Sequence, residues 1–345
     1  MINSFAKLGF MALLASASAG AHDFDNAYGH SDNPVVVTMS NTGNNMLLVY
    51  GTDGTPLHAL PTGGQGGVSG NAGGVTASGD DVAVVNFNSG SVSVFDRDDR
   101  SGRFHLKQIL SVTGNPVSVA FSSTHLYVLT TTHVESHART PFGIRYNADG
   151  IAGLLLADGS AAQVGVLNDQ LIISEKNNVI ESVPLWGNGA VTGSATLTMH
   201  IPSNVNAPFG MATRGNNAYV TIAHADEVAL VRNNDVLTVT PSVTQHAPCW
   251  ATLDGPFLFT ANSPSKSVSR YAVYGQKIVQ DAAVTATFSG APTDIDASGN
   301  VAAVIDADGT NSHVSIFNVD EDGNLALTGK ATISGTATNG VAIVR

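Results

Sequence analysis

Ala247-Pro248-Cys249-Trp250-Ala251-Thr252-Leu253-Asp254-Gly255-Pro256-Phe257-Leu258-Phe259-Thr260-Ala261-Asn262 reads as two short strands joined by a tight turn. Proline cannot donate to a strand ladder, so Pro248 belongs at the start of the first strand. Asp254-Gly255-Pro256 supplies turn chemistry, and Phe257 to Thr260 is an apolar, β-favouring run. Two further strands come after it, and Val268-Ser269-Arg270-Tyr271 alternates with a period of two, one side inward and one outward.

The same opening recurs along the chain. Asn71-Ala72-Gly73-Gly74-Val75, Asn115-Pro116-Val117-Ser118-Val119, Ala162-Gln163-Val164-Gly165-Val166, Ala207-Pro208-Phe209-Gly210-Met211, Ala291-Pro292-Thr293-Asp294-Ile295 and Ala337-Thr338-Asn339-Gly340-Val341 each start a comparable unit. Units of about 45 residues with four strands each are the arithmetic of a β-propeller. The chain stops just after its seventh opening, at Val344-Arg345, whereas its beginning offers only three strands, Val35 to Met39, Met46 to Tyr50 and Pro56 to Leu60. One blade can therefore be made from both ends, which removes exposed strand edges. The expected fold is all-β: a seven-bladed β-propeller of four-stranded blades, closed by the C-terminal strand joining the N-terminal blade.

The first residues carry Lys7, an apolar stretch from Leu8 to Ala15 and small residues through Ala19-Gly20-Ala21. This pattern predicts a signal peptide over 1–21 and a single propeller domain over 22–345, secreted or periplasmic. No stretch has the roughly 18 apolar residues of a membrane span. One cysteine, Cys249, excludes an intramolecular disulfide framework. A net charge of −12 disfavours nucleic acid, whose binding rests on Lys and Arg. A monomer without cofactor or bound metal is expected, taking a small molecule, a glycan or a protein as ligand.

The units with Asn206-Ala207-Pro208-Phe209-Gly210, Gln163-Val164-Gly165 through Ser174-Glu175-Lys176, and Ala247-Pro248-Cys249-Trp250 through Asn262 resemble the lactonase-type propellers. That family includes 6-phosphogluconolactonase and carboxymuconate lactonizing enzymes, and the secreted bacterial branch labelled 3-carboxymuconate cyclase-like is the nearest in pattern. The resemblance implies a site of histidine, glutamate and arginines on inner strands and adjacent loops. Glu175 matches the glutamate. Gln163 stands where the resemblance implies an arginine, and Pro208-Phe209-Gly210 occupies another such place, so the cations that would hold a dicarboxylate are missing.

Turns that enter the inner strands and turns that leave the second strands meet at one mouth of a propeller's channel. There the sequence nominates Glu175 as general acid or base with His224 or His246 polarising a carbonyl, and Gln163, Lys176, Asn206, Asp226 and Asn262 as ligand-binding groups. Two functions are compatible with that set: a non-catalytic exported propeller that binds a polar ligand at the channel mouth, or a lactone hydrolase or lactonizing enzyme working through Glu175. His133-Val134-Glu135-Ser136-His137 has the spacing to put three ligands on one strand face, but is read as a solvated loop without metal. The glycines from Gly63 to Gly74 precede a strand rather than a helix, which excludes a phosphate-binding loop.

Overall fold

The computed structural model describes residues 33–198 and 207–345. The proposed leader over 1–21 and Asn206 lie outside the described residues. Seven antiparallel sheets make the blades, and no α-helix occurs among the described residues. Blade 1 pairs Asn339–Val344 with Val35–Met39, Met46–Gly51 and Pro56–Pro61. Blades 2 to 7 run in chain order, with inner strands Val75–Ser78, Pro116–Phe121, Ala161–Val166, Pro208–Arg214, Pro248–Asp254 and Ala291–Ser298. Blade 3 carries one extra short strand, Gly143–Ile144, on its third strand.

Closure of the ring is as the chain ends imply. Val35 pairs with Val344, Val36 with Ile343 and Val37 with Ala342, and the Thr38 hydroxyl donates to Gly340 O at 2.6 Å. The inner strands neighbour one another around the axis, with Asn339–Val344 against both Ala291–Ser298 and Val75–Ser78.

Second strands such as Asp81–Asn86, His125–Thr130 and Gln170–Glu175 are buried almost throughout. Both faces of each sheet pack on adjacent blades, so these strands read as continuous apolar runs. Outer strands alternate instead, as in Phe104–Ser111.

Six inner strands share one irregularity near their first residue, and in blade 1 the slip falls between Asn339 and Val341. The register slips between Pro116 and Ser118, Ala161 and Gln163, Pro208 and Met211, Pro248 and Trp250, and Pro292 and Asp294. A bulge inserts one residue and re-aims the next side chain. It brings Ser118, Gln163, Trp250 and Asp294 to equivalent places in four blades.

Candidate functional site

Each inner strand turns one unpaired edge toward the axis, and its N–H and C=O groups need partners. Side chains just past the bulges meet that need by reaching to the next blade. Gln163 accepts from Met211 N at 2.6 Å through Oε1 and donates to Met211 O at 3.1 Å through Nε2. Ser118 Oγ accepts from Val164 N, and Thr252 Oγ1 from Ala297 N. Asp296 Oδ2 accepts from Ile343 N at 2.9 Å, and its Oδ1 accepts from the Thr252 hydroxyl at 3.3 Å.

These strands enclose a channel cavity of about 400 Å³. Its wall runs from Ala72, Gly73 and Trp250 at one end to Phe121, Leu253 and Ser298 at the other, where the inner strands finish. No lysine or arginine lines it, whereas Asp294 and Asp296 both do. Burial, with help from Asp296, pushes the Asp294 carboxyl up to about 8, although the Ile295 N–H it accepts at 2.9 Å opposes the rise. Burial also raises Asp296, against the N–H of Ile343. Asp294 thus holds its proton far more readily than an ordinary aspartate.

The end of the channel where the inner strands begin is closed. Residues 62–74 cross it and are tied to four blades. Trp250 Nε1 donates to Asn71 O at 3.0 Å, Asn71 Nδ2 to Val117 O at 2.7 Å, Asn339 Nδ2 to Asn71 Oδ1 at 3.2 Å, and Ala72 N to Ala162 O at 3.1 Å. Lys176 Nζ adds a bond to Gly70 O at 2.6 Å, and Val119 N one to Gly73 O. Glycine is required where this segment presses on backbone: a Cβ at Gly66 would collide with the Asn41 main chain, and Gly73 has a φ of 65°. The glycines therefore build a plug. A hollow of about 540 Å³ remains on the plug's outer side, beside Phe209, Cys249 and Thr293, and none of the nominated residues lines it.

Of the nominated residues that the structure describes, Gln163 alone lines the channel wall. The others separate into three groups. Glu175 is fully buried at the end of its strand, where Oε2 accepts from Ser160 Oγ at 2.7 Å and Oε1 has no partner. Burial pushes this carboxyl up to about 7, Glu181 and Asp158 add to the rise, and Ser160 and Lys176 oppose it. Burial lowers Lys176, whose ammonium holds the plug. His246 and Asp226 form an exposed pair, Nδ1 to Oδ2 at 2.8 Å, and Asp226 also accepts from Ala247 N. His224 is exposed nearby on a short turn, Ala223–Ala225. Neither histidine hydrogen-bonds Glu175 among the described residues.

Asn262 is wholly buried and braces its own hairpin. Its amide donates to Ser267 Oγ and Ser269 Oγ at 3.1 and 2.8 Å, as Asn86 does to Ser91 and Ser93 in blade 2. In this structure it acts as a hairpin staple.

The His133 to His137 segment corrects its reading as a solvated loop. It lies on the strand His133–Thr140, with Glu135 and His137 buried. Glu135 takes His133 Nε2 at 2.9 Å and Thr113 N at 3.0 Å on Oε1, and His137 Nε2 at 3.2 Å on Oε2. Burial would raise this carboxyl, but those three donors outweigh it and hold Glu135 far below the usual range. The second ring nitrogens are engaged too, by Thr130 and by Arg145 O. Among the described residues no cluster of three or more His, Cys, Asp or Glu is placed to hold a metal.

Burial pushes the Cys249 thiol up to about 12, which leaves little nucleophilic thiolate near neutral pH. The sequence reading missed Asp294, Asp296 and Trp250 as wall residues. Lining up the residue two places after each opening proline exposes the signal, because an acid then stands level with Ser118 and Trp250.

No protein-family model and no curated protein sequence matches the chain. Solved structures do. A "putative 6-phosphogluconolactonase" from Bacteroides fragilis superposes with a TM-score of 0.62 at 14% identity, covering 92% of this chain and 99% of that one. The periplasmic gluconolactonase PpgL of Pseudomonas aeruginosa gives 0.63 at 14% identity, over 91% and 99%. Virginiamycin B lyase from Staphylococcus aureus gives 0.56 at 16% identity, over 79% and 91%. At these identities the likeness is one of architecture, and sites must be argued from this chain's own residues. In architecture the chain is a seven-bladed β-propeller, similar in fold to the 6-phosphogluconolactonase and gluconolactonase structures it superposes on.

Proposed function

We propose that this protein is a ligand-binding propeller that takes an uncharged or cationic polar small molecule into its central channel, from the face where the inner strands end. The observation that carries the reading is the plug. With residues 62–74 bonded across one end, the cavity of about 400 Å³ is left to the other face. Such a volume falls among small-molecule sites, which span roughly 300–1,000 Å³. Thr76, Thr252 and the two acids supply hydrogen bonds, and an anion would meet Asp296 with no lysine or arginine on the wall itself, the guanidinium of Arg345 being bonded to Ser298 O at the rim. The sugar-lactone names of the neighbours fit a polyhydroxy ligand, and the wall chemistry narrows that to an unphosphorylated one. Export rests on the N-terminal pattern of residues 1–21.

Thermal-shift titration tests this with four probes: glucose, putrescine, gluconate and 6-phosphogluconate. Glucose or putrescine should stabilise the protein and the two anions should not. Ala120→Trp, which fills the channel from its wall, should abolish the shift. Stabilisation by 6-phosphogluconate that survives Ala120→Trp would contradict the reading.

The second reading, lactone hydrolysis, rests on Glu175. A buried carboxyl pushed up to about 7 with one unpartnered oxygen is poised for proton transfer near neutrality. If it acts so, Glu175→Gln should lower glucono-δ-lactone hydrolysis by about 100-fold, the lower end for a lost general acid or base. Equal rates in the two proteins, measured by pH-stat, would remove Glu175 from any such role.

A further inference from the structure

The face onto which the channel opens carries a second, distinct recess. Between blades 3 and 4 lies a groove of about 280 Å³, bordered by Ser122, Thr124, Asn168, Asp169, Trp186 and Asn188. We propose that this groove is a binding subsite for a neutral saccharide, with Trp186 as its stacking platform.

Trp186 is the anchor of the groove. Its side chain is 64% exposed, while the chain's other tryptophan, Trp250, is buried and hydrogen-bonded. Tryptophan is enriched at recognition surfaces, because it joins a large apolar face to a polar N–H. The backbone that carries this indole is held in place. Trp186 N donates to Ala190 O and Gly189 N to Trp186 O, closing a tight hairpin tip. The tip is seated on blade 3: Tyr127 OH donates to Gly189 O at 2.8 Å and Val191 N to Ser136 Oγ at 3.0 Å. Gly189, at a φ of 97°, lies so close to Thr124 and His125 that any Cβ would collide with them. An aromatic face on a fixed backbone presents contact area at little conformational cost.

The surrounding groups decide the ligand class. Hydroxyls of Ser122 and Thr124, amides of Asn168 and Asn188 and the exposed carboxylate of Asp169 offer donors and acceptors to alcohol groups. No lysine or arginine borders the groove, which rules against phosphate or sulfate groups. A pyranose presents both features at once: axial C–H groups that lie on an indole face, and equatorial hydroxyls that reach sideways to polar side chains. Leu167 and Leu185 line the groove as well, giving it an apolar floor beneath a polar border.

The groove adjoins the channel. Val166 belongs to both walls, and Phe121 of the channel immediately precedes Ser122 of the groove. A saccharide chain stacked on Trp186 would therefore point toward the channel opening. That continuity rests on the channel reading; the groove assignment does not.

Tryptophan fluorescence titration with cellohexaose, maltohexaose and chitohexaose tests the assignment. At least one hexasaccharide should quench and blue-shift the Trp186 emission. Trp186→Ala should weaken its binding at least tenfold, measured by calorimetry, with an unchanged melting curve, and Trp186→Phe should keep most of the affinity. Binding that survives Ala120→Trp but is lost in Trp186→Ala supports the groove even if the channel holds nothing. Binding lost in Ala120→Trp and kept in Trp186→Ala overturns the groove, as does binding of none of the three by the wild type.

Discussion

A chain truncated after Thr338 is expected to lose its cooperative thermal unfolding. Residues 339–345 supply the inner strand of blade 1, where Val341, Ile343 and Val344 are each at most 6% exposed. Burying three such side chains contributes roughly 6 kcal/mol at about 2 kcal/mol each. Losing the strand also strips the ladder partner from Val35–Met39 and the acceptor of the Thr38 hydroxyl. It leaves Asp296 without the Ile343 N–H. Net stabilities of domains are only about 5–15 kcal/mol, so the sum approaches the whole. Circular dichroism of the truncated chain should show a shallow, non-cooperative melt, and a synthetic peptide of residues 339–345 should restore part of the transition. A melt within a few degrees of the full-length protein would contradict the closure.

The second large effect is a pH dependence set by Asp294. In the folded protein burial holds its proton up to about 8, whereas an unfolded aspartate releases it near 3.9. Between those values the folded state binds the extra proton, so stability falls as pH rises through the window and the full penalty stands above it. Burial raises Asp296 too, which acts in the same direction. Asp294→Asn keeps an acceptor for Ile295 N and carries no charge. Wild type and variant should be equally stable near pH 4, then diverge until the variant leads by roughly 5–6 kcal/mol at pH 9, about four pKa units at about 1.4 kcal/mol each. Urea denaturation across pH 4 to 9 checks this. Parallel curves would show that Asp294 ionises freely in the folded state, through contact with water that the buried geometry denies it.

Repetition made the fold legible. Pro116, Pro248 and Pro292 open inner strands because a residue without an N–H suits that place, and the same prolines mark where the register slips. The seventh opening at Asn339 and the missing fourth strand at Val35 foretold a shared blade, since a propeller with an open seam would expose two strand edges. The second strands were legible for a different reason: packed on both faces, Leu171 to Ile173 cannot tolerate a polar residue until Ser174 and Glu175 at the plugged end.

The site was less legible because its geometry is made by contacts between blades. Gln163 and Asn262 sit at turns facing the axis and look alike in sequence, yet one bridges blades 4 and 5 and the other braces its own hairpin. The glycines from Gly63 to Gly74 are spaced like a flexible connection, and only the bonds to Val117, Ala162, Trp250 and Asn339 turn them into a plug. Glu135 is a similar case, since its two histidine partners are adjacent in sequence but the burial that fixes all three comes from neighbouring strands. Asp294 and Asp296 were hidden inside a repeat that was read for its fold and not for its departures from the common pattern.

The direction of ligand access is set by that plug, and the functional reading depends on it. A crystal structure of the protein soaked with glucose at high concentration tests it most directly. Density is expected inside the channel, within hydrogen-bond reach of Asp296 and Thr252 and open to the face where Phe121 and Leu253 end their strands. Density on the opposite face, over Gly70 and against Glu175 and Lys176, would contradict it.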